Sequence, residues 1–153
     1  MSASDQTTPI YFYSSIEEHG YLSNFSPHGF ELDGRYWPTA EHYFQAQKFA
    51  DGDYAETIRR AESPTKAKSL GRSRAHPIRP DWDEVRVSVM RRAVLAKFTA
   101  HRDIREALLA TGDRELIEAA PNDYFWGAGR HGTGQNMLGK ILMDTRTQLR
   151  QDA

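Results

Sequence analysis

Hydrophobic and polar positions in the N-terminal part of the chain alternate as they do in short strands. Ile10-Tyr11-Phe12-Tyr13 is β-prone, and Phe30-Glu31-Leu32 and Arg35-Tyr36-Trp37 flank Asp33-Gly34. An Asp-Gly pair between alternating segments is typical of a two-residue hairpin turn. The pattern therefore predicts a small antiparallel sheet.

The rest of the chain follows a helical period. Thr39 is a good N-cap, and Ser63 followed by Pro64 begins another helix, for which Gly71 fits the C-terminal cap. We expect helices over residues 40–50, 53–62, 64–70, 82–100, about 104–108, 113–119 and 137–149. The predicted fold class is α+β: a mostly helical single domain over residues 10–150, after a disordered N-terminus over residues 1–9.

Composition narrows the possible functions. The chain has 153 residues, no cysteine, and 20 basic against 21 acidic residues. The absence of cysteine excludes disulfides, zinc–thiolate sites and a cysteine nucleophile, and it fits a reducing cytoplasm. A nucleic-acid-binding module usually carries a stripe of basic residues, and the sequence shows no strong stripe of this kind. We expect no signal peptide in the polar N-terminal segment, no membrane-spanning segment and a cytoplasmic location.

The first candidate site lies on the helix after Thr39. Glu41, Gln45 and Lys48 are spaced so that they share one helical face. Apolar residues occupy most other directions, at Tyr43, Phe44, Ala46 and Phe49. Such a helix is normally buried, so the polar face would line a buried network or a cavity. The alternative is a surface Glu–Lys pair worth about 0.2–0.5 kcal/mol.

The second candidate site is the loop over residues 121–134, before the last helix. Its glycines, at 127, 129, 132 and 134, let the backbone approach a ligand, and a helix N-terminus offers N–H groups to an anion. Tyr124 and Trp126 are candidates to stack on a base or sugar, and Asp123 is a candidate carboxylate. The alternative is a connecting loop whose aromatic side chains fill the core.

Several other residues each allow two interpretations, one functional and one structural. Arg72, Arg74 and Arg79 lie in a basic loop and suit bidentate phosphate binding, or else they are solvated charges. Trp82 is either a core anchor or a pocket wall. The six histidines show no metal-ligand spacing, so we expect no metal.

Three segments resemble the YbiA-like, or NADAR, family. They are Ser23-Asn24-Phe25, then Trp37-Pro38-Thr39-Ala40-Glu41-His42-Tyr43-Phe44-Gln45-Ala46-Gln47-Lys48-Phe49, and the run from Trp126 through its glycines to Asn136-x-Leu138-Gly139. The resemblance extends from about Ile10 to Leu149. The Glu-His-Tyr-Phe-Gln-Ala-Gln-Lys-Phe string is long and chemically unusual, which makes the resemblance specific.

The resemblance implies N-glycosidase activity without a cofactor. Stand-alone bacterial members are associated with ribosylamino-pyrimidine phosphates of riboflavin synthesis, and other members remove ADP-ribose from guanine. A non-catalytic ADP-ribose or nucleotide-binding module is a further alternative, and nucleic acid enters only as an ADP-ribosylated substrate. Oligomeric state stays open. The candidate catalytic residues are Glu41, Asp123 and Lys48, and the candidate substrate-binding residues are Asn24, Phe25, Gln45, Arg72, Trp82, Tyr124, Trp126, Gly127, Gly132, Gly134 and Asn136.

The chemistry assigns roles to these residues. Cleavage of an N-ribosidic bond builds positive charge on the sugar, which a carboxylate stabilises while it activates water. We expect Glu41 or Asp123 to do this, with Glu41 favoured, and the two to converge on one cleft. Lys48 has two alternative roles: it keeps Glu41 ionised, or it attacks an opened sugar aldehyde to form an imine.

Overall fold

The computed structural model describes residues 7–152, and within them the chain forms short strands and six α-helices. The strands are β1 (Ile10–Phe12), β2 (Phe30–Leu32), β3 (Arg35–Trp37) and β4 (Leu116–Glu118). The helices are α1 (Ala40–Ala46), α2 (Gly52–Arg59), α3 (Pro64–Gly71), α4 (Trp82–Ala100), α5 (Arg102–Ala110) and α6 (Met137–Asp152), with a 3₁₀ turn at Gly20–Leu22. The predicted α+β class is confirmed. Residues 1–6 of the predicted disordered segment lie outside the described residues.

The described residues group into two compact units. One comprises the described part of Met1–Ser26 and His101–Ala153, and the other comprises Pro27–Ala100. The first unit holds β1, β4, α5 and α6, and the second holds β2, β3 and α1 to α4.

The second unit begins with the predicted hairpin. Leu32 pairs with Arg35 in an antiparallel register, so Asp33 and Gly34 form a two-residue turn. Their φ angles are 55° and 78°, the positive values that a type I′ turn requires. The Asp-Gly signal is therefore confirmed.

Aromatic side chains join the hairpin to α1. The Trp37 ring meets the Tyr43 ring edge-on at 5.0 Å, and the Tyr43 hydroxyl donates to Asp33 Oδ2 at 2.7 Å. Burial and this bond raise the pKa of Tyr43, which stays a neutral donor. The hairpin thus fixes one side of α1.

Helix α1 is buried along its whole length, because all seven of its residues are buried. Thr39 caps it as predicted, since its Oγ1 accepts the backbone N–H of His42 at 3.1 Å. The helix ends at Ala46, earlier than the predicted residue 50. Beyond it, the Lys48 carbonyl accepts the Arg79 N–H at 2.8 Å, which draws the chain into pairing with the loop before α4. Lys48 therefore lies just outside the helix.

Helix α3 differs from the prediction at its end. Gly71 is the last helical residue, and Arg72, in a right-handed conformation, is the C-cap. The expected glycine cap is therefore wrong. The Gly71 backbone has no positive φ, so the reason for glycine at this position lies elsewhere.

The first unit contains a parallel pair that the sequence pattern does not predict. Strands β1 and β4 pair with Ile10 opposite Leu116 and Phe12 opposite Glu118. The helix predicted over 113–119 is wrong, because this segment obtains its hydrogen bonds from a strand distant in sequence. The hydrophobic pattern within a segment does not identify a pairing strand that lies far away in the sequence.

We predict that Glu56 contributes acid-sensitive stability to the second unit. Its carboxylate accepts hydrogen bonds from Arg59 and Arg60 at the C-terminal end of its own helix, α2, and from Arg35 of β3. These arginines, Arg59 first, lower the Glu56 pKa from 4.5 to about 2. A lowered carboxyl pKa means that the contribution is complete above pH 4.5 and is lost as the pH falls towards 2.

Thermal unfolding between pH 7 and pH 2 measures this effect. Glu56→Gln should lower the melting temperature at neutral pH and flatten its fall in acid. Glu106→Gln is the control, because Glu106 pairs with Arg102 on an exposed surface and such pairs contribute little. Equal pH profiles for the parent and Glu56→Gln would contradict the assignment.

Candidate active site

Glu41 is the buried acidic residue of α1. Its side chain is held by Gln45, whose Nε2 donates to Glu41 Oε2 at 2.7 Å, and each residue is only 7% exposed. A buried carboxylate is rare unless it is paired or functional. The alternative of a surface Glu–Lys pair is therefore wrong.

Lys48 lies close to the end of α3. Its Nζ donates to the Gly71 carbonyl at 2.7 Å. Burial lowers the pKa of Lys48, and the charges of Arg74 and Arg72 lower it further, whereas the charge of Glu41 raises it. Lys48 thus stands in the field of one carboxylate and two arginines.

The three arginines of the basic loop differ in their partners. Arg79 is bound to Asp81 by two hydrogen bonds, of 2.6 and 2.9 Å. Within residues 7–152, neither Arg72 nor Arg74 forms an ion pair with a carboxylate, although Arg74 donates to the Arg72 carbonyl at 3.2 Å. Arg72 and Arg74 are exposed, so they are the two that can meet an anion.

Trp82 packs against α1. Its ring lies 5.0 Å from that of Phe44 and is 8% exposed. Phe44 is three positions after Glu41, so Trp82 braces the helix that carries the carboxylate.

His42 has a structural role that sequence reasoning missed. Its two ring nitrogens lie 2.8 Å from Thr39 Oγ1 and 3.0 Å from the Ala61 carbonyl oxygen. Burial lowers the pKa of His42, which favours the neutral ring. The signal was available, because His42 lies at the position that a capping threonine reaches.

In the first unit, Asp123 organises the glycine-rich loop. Its Oδ1 accepts the backbone N–H of Phe125 at 3.0 Å and that of Trp126 at 2.8 Å, which is an Asx turn. The rings of Phe125 and Trp126 meet edge-on at 4.9 Å. This carboxylate oxygen therefore holds the aromatic pair in place.

The N-terminus of α6 is already paired with this loop. The N–H groups of Met137 and Leu138 donate to the carbonyls of Phe125 and Trp126, each at 3.0 Å, and the Asn136 N–H donates to Gly127 at 3.0 Å. The expectation that these N–H groups are open to an anion is wrong.

Close packing explains two of the loop glycines. A Cβ on Gly134 would lie 2.4 Å from the Gly127 carbonyl oxygen, and one on Gly127 would lie 2.9 Å from the Ala120 Cβ. Gly132 differs, because it has open surroundings and a φ of 73°, which glycine adopts readily.

Asn136 completes the parallel strand pair. Its Oδ1 accepts the Glu118 N–H and its Nδ2 donates to the Leu116 carbonyl, both at 2.9 Å. These two bonds engage both ends of the amide on the backbone of β4. Asn136 is 9% exposed and has a φ of 51°.

The remaining candidates of the first unit differ in exposure. Asn24 is buried, and Phe25, whose N–H donates to Ser23 Oγ at 3.1 Å, is half-buried. Tyr124 is exposed and Trp126 is half-buried. Their predicted contacts with substrate, and the predicted convergence of Glu41 and Asp123, stay predictions.

Among residues 7–152, no three His, Cys, Asp or Glu side chains are grouped as metal ligands. No helix in this part of the chain has the length and hydropathy needed to cross a membrane.

The fold and these side chains define a family of proteins. The NADAR domain model matches residues 11–150, and the chain belongs to this family. The family predicted from the motifs is confirmed.

Close relatives carry names that state an activity. The chain is 49% identical to N-glycosidase YbiA of Escherichia coli over 94% of its own length and 90% of that protein. The solution structure of Escherichia coli YbiA covers 96% of this chain and 88% of its own, with 48% identity and a TM-score of 0.89. The riboflavin biosynthesis protein VVA0006 of Vibrio vulnificus is 46% identical over 95% of this chain, which matches 40% of that longer protein. The predicted enzyme class, a hydrolase of N-glycosyl bonds, agrees with the N-glycosidase name.

We predict that Asn136→Ala destabilises the protein by about 2–4 kcal/mol, because it leaves two backbone groups of β4 unpaired and places alanine at a positive φ. Chemical denaturation measures the change. Asn136→Gly separates the two causes, since glycine tolerates the φ but restores no hydrogen bond. Gln135→Ala, at an exposed neighbour, should have little effect. Parent stability of Asn136→Ala would contradict the structural role.

Proposed function

We propose that the chain is an N-glycosidase that hydrolyses the N-ribosidic bond of a ribosylamino-pyrimidine phosphate of riboflavin synthesis. One observation carries the proposal: Gln45 holds the buried carboxylate of Glu41, whose charge acts on Lys48 together with the charges of Arg72 and Arg74. The N-glycosidase name of the Escherichia coli relative supports the reaction class. The name of the Vibrio relative supports riboflavin synthesis as the source of the substrate.

Glu41 has the chemistry that the reaction needs. As the C–N bond breaks, positive charge develops on the ribose C1 and ring oxygen, and a nearby carboxylate stabilises it. The same carboxylate accepts a proton from the attacking water, whose hydroxyl forms the new bond to C1, while the departing nitrogen keeps the electron pair of the C–N bond and takes up a proton from Glu41 or from solvent. The bond from Gln45 keeps one oxygen of Glu41 oriented for this task.

Arg72 and Arg74 suit a phosphate. They are exposed and lie close enough to lower the pKa of Lys48, so positive charge accumulates around that amine. An arginine binds phosphate through parallel N–H donors. This group of cations favours a phosphorylated riboside over a neutral nucleoside.

We predict release of ribose phosphate from a ribosylamino-pyrimidine phosphate, with a much slower reaction on its dephosphorylated form. Glu41→Gln should lower kcat by roughly 10²-fold or more, because the amide neither carries charge nor accepts the proton. Circular dichroism and melting temperature check that the variant is folded.

ADP-ribosyl-guanosine, run in the same assay, tests the main alternative. Faster cleavage of that compound would replace the proposed substrate, and binding of either compound without release would indicate a binding module. Glu41→Gln with parent activity would remove Glu41 from the mechanism. Asp123→Asn in the same assay tests the second carboxylate.

Lys48 has two proposed roles, which borohydride trapping separates. Its lowered pKa increases the fraction of neutral amine, which is the form that attacks a sugar aldehyde. If an imine forms, reduction during turnover should leave a ribosyl phosphate adduct on Lys48, located by mass spectrometry. Lys48→Arg keeps the charge and cannot form the adduct. Absence of an adduct in an actively cleaving sample would leave Lys48 as the electrostatic partner of Glu41.

A further inference from the structure

The backbone conformation at position 71 does not require a glycine. Gly71 is the last residue of α3, is buried, and has no positive φ. Glycine in a helix is about 1 kcal/mol less favourable than alanine. Some other constraint must therefore exclude a side chain.

The constraint is the carboxamide of Gln45. A Cβ built on Gly71 would lie 2.0 Å from Gln45 Oε1 and 2.7 Å from Gln45 Cδ. Gln45 is 7% exposed, so its carboxamide is enclosed. An alanine at position 71 would push it from its place.

The orientation of this carboxamide is determined by Glu41. A carboxylate only accepts hydrogen bonds, so the Nε2 of Gln45 must face Glu41, with which it bonds at 2.7 Å. Gln45 Oε1 then faces Gly71, and it has no hydrogen-bond donor within the described residues. The Gln45 carboxamide thus donates to Glu41 through Nε2, and its Oε1 lies against Gly71 on the other side.

The same glycine contacts the second catalytic candidate. The carbonyl of Gly71 accepts the Lys48 Nζ at 2.7 Å. The last residue of α3 therefore has two contacts near the candidate catalytic residues. Its lack of a side chain leaves space for the Gln45 carboxamide that bonds Glu41, and its carbonyl accepts a hydrogen bond from Lys48.

We propose that Gly71 is a positioning residue: the space at its Cα lets Gln45 hold Glu41, and its carbonyl holds Lys48. The inference rests on the proposed function only where it concerns activity. The two actions are separable, because a substitution at position 71 adds a side chain but keeps the carbonyl.

Gly71→Ala and Gln45→Ala test the first action. Each should lower kcat by roughly tenfold or more, the loss expected when a hydrogen bond to a charged group is removed. KM should change less, because the phosphate-binding arginines are untouched. Gly52→Ala is the matched control, since Gly52 is also a helical glycine of this unit and its Cβ would meet nothing within 4 Å.

The double variant Gly71→Ala/Gln45→Ala decides whether the effect passes through Gln45. Removal of the carboxamide takes away the contacts at 2.0 and 2.7 Å and leaves the Cβ of residue 45 at 3.2 Å, which a shift of a few tenths of an ångström relieves, so the double variant should match Gln45→Ala in kcat. A further loss of activity in the double variant would overturn the proposal. This comparison holds even if Gly71→Ala alone does not fold.

Carboxyl ¹³C NMR of Glu41 provides a readout that is independent of turnover. Loss of the Gln45 donor destabilises the charged form, so the pKa of Glu41 should rise in Gln45→Ala and in Gly71→Ala, and stay at the parent value in Gly52→Ala. A parent-like Glu41 titration in both Gln45→Ala and Gly71→Ala would overturn the proposal. If Glu41→Gln proved fully active while these titration shifts appeared, the proposed mechanism would fail and the positioning role would stand.

Discussion

The second unit is built around one constraint, which is that the buried Glu41 carboxylate must keep a hydrogen-bond donor. Removing a carboxylate from water is costly unless fixed donors replace the water. Gln45 supplies one at 2.7 Å from the next turn of the same helix. That helix is buried and capped by Thr39, and Gly71, a residue without a side chain, lies close against the carboxamide of Gln45. Of these features, a glycine at the end of α3 is the one that lowers helix stability, and the carboxamide that holds Glu41 accounts for it.

The first unit satisfies its polar groups in a different way. The loop before α6 uses its own carbonyls to pair the first N–H groups of the helix, and Asp123 pairs the N–H groups of the two aromatic residues. Asn136 extends the strand pair with a side chain in place of a backbone. Glycine-rich composition here reflects close packing at Gly127 and Gly134 more than mobility. The loop is thus a preorganised support for Phe125 and Trp126, which are held edge-to-face.

Sequence reasoning succeeded where the determining interaction is local. The Asp33-Gly34 turn, the Thr39 cap and the helix from Trp82 to Ala100 all follow from neighbours in the chain. It failed where the partner is distant: β4 depends on β1, and α1 ends early where the chain after it pairs with the loop at Arg79. The burial of Glu41 was predictable from the surrounding apolar positions. The proposed role of Gly71 was not predictable from the sequence. A glycine at the end of a helical pattern looks the same whether it caps the helix or leaves space for a neighbouring side chain such as Gln45.

Charge distribution within the second unit distinguishes stability from function. At Glu56, three arginines share one carboxylate, but each is held by a direct bond, and Arg79 has Asp81 to itself. Around Lys48 the arrangement is different, because Arg72 and Arg74 lower the pKa of a half-buried amine and Glu41 only partly offsets them. Cations placed together without matching carboxylates destabilise the folded chain. Arg59 and Arg79 are bonded directly to carboxylates, whereas Arg72 and Arg74 have no carboxylate partner within residues 7–152, and a bound phosphate dianion would supply the negative charge that they lack. This charge distribution around Lys48 is the feature of the second unit that agrees best with the proposed phosphorylated substrate.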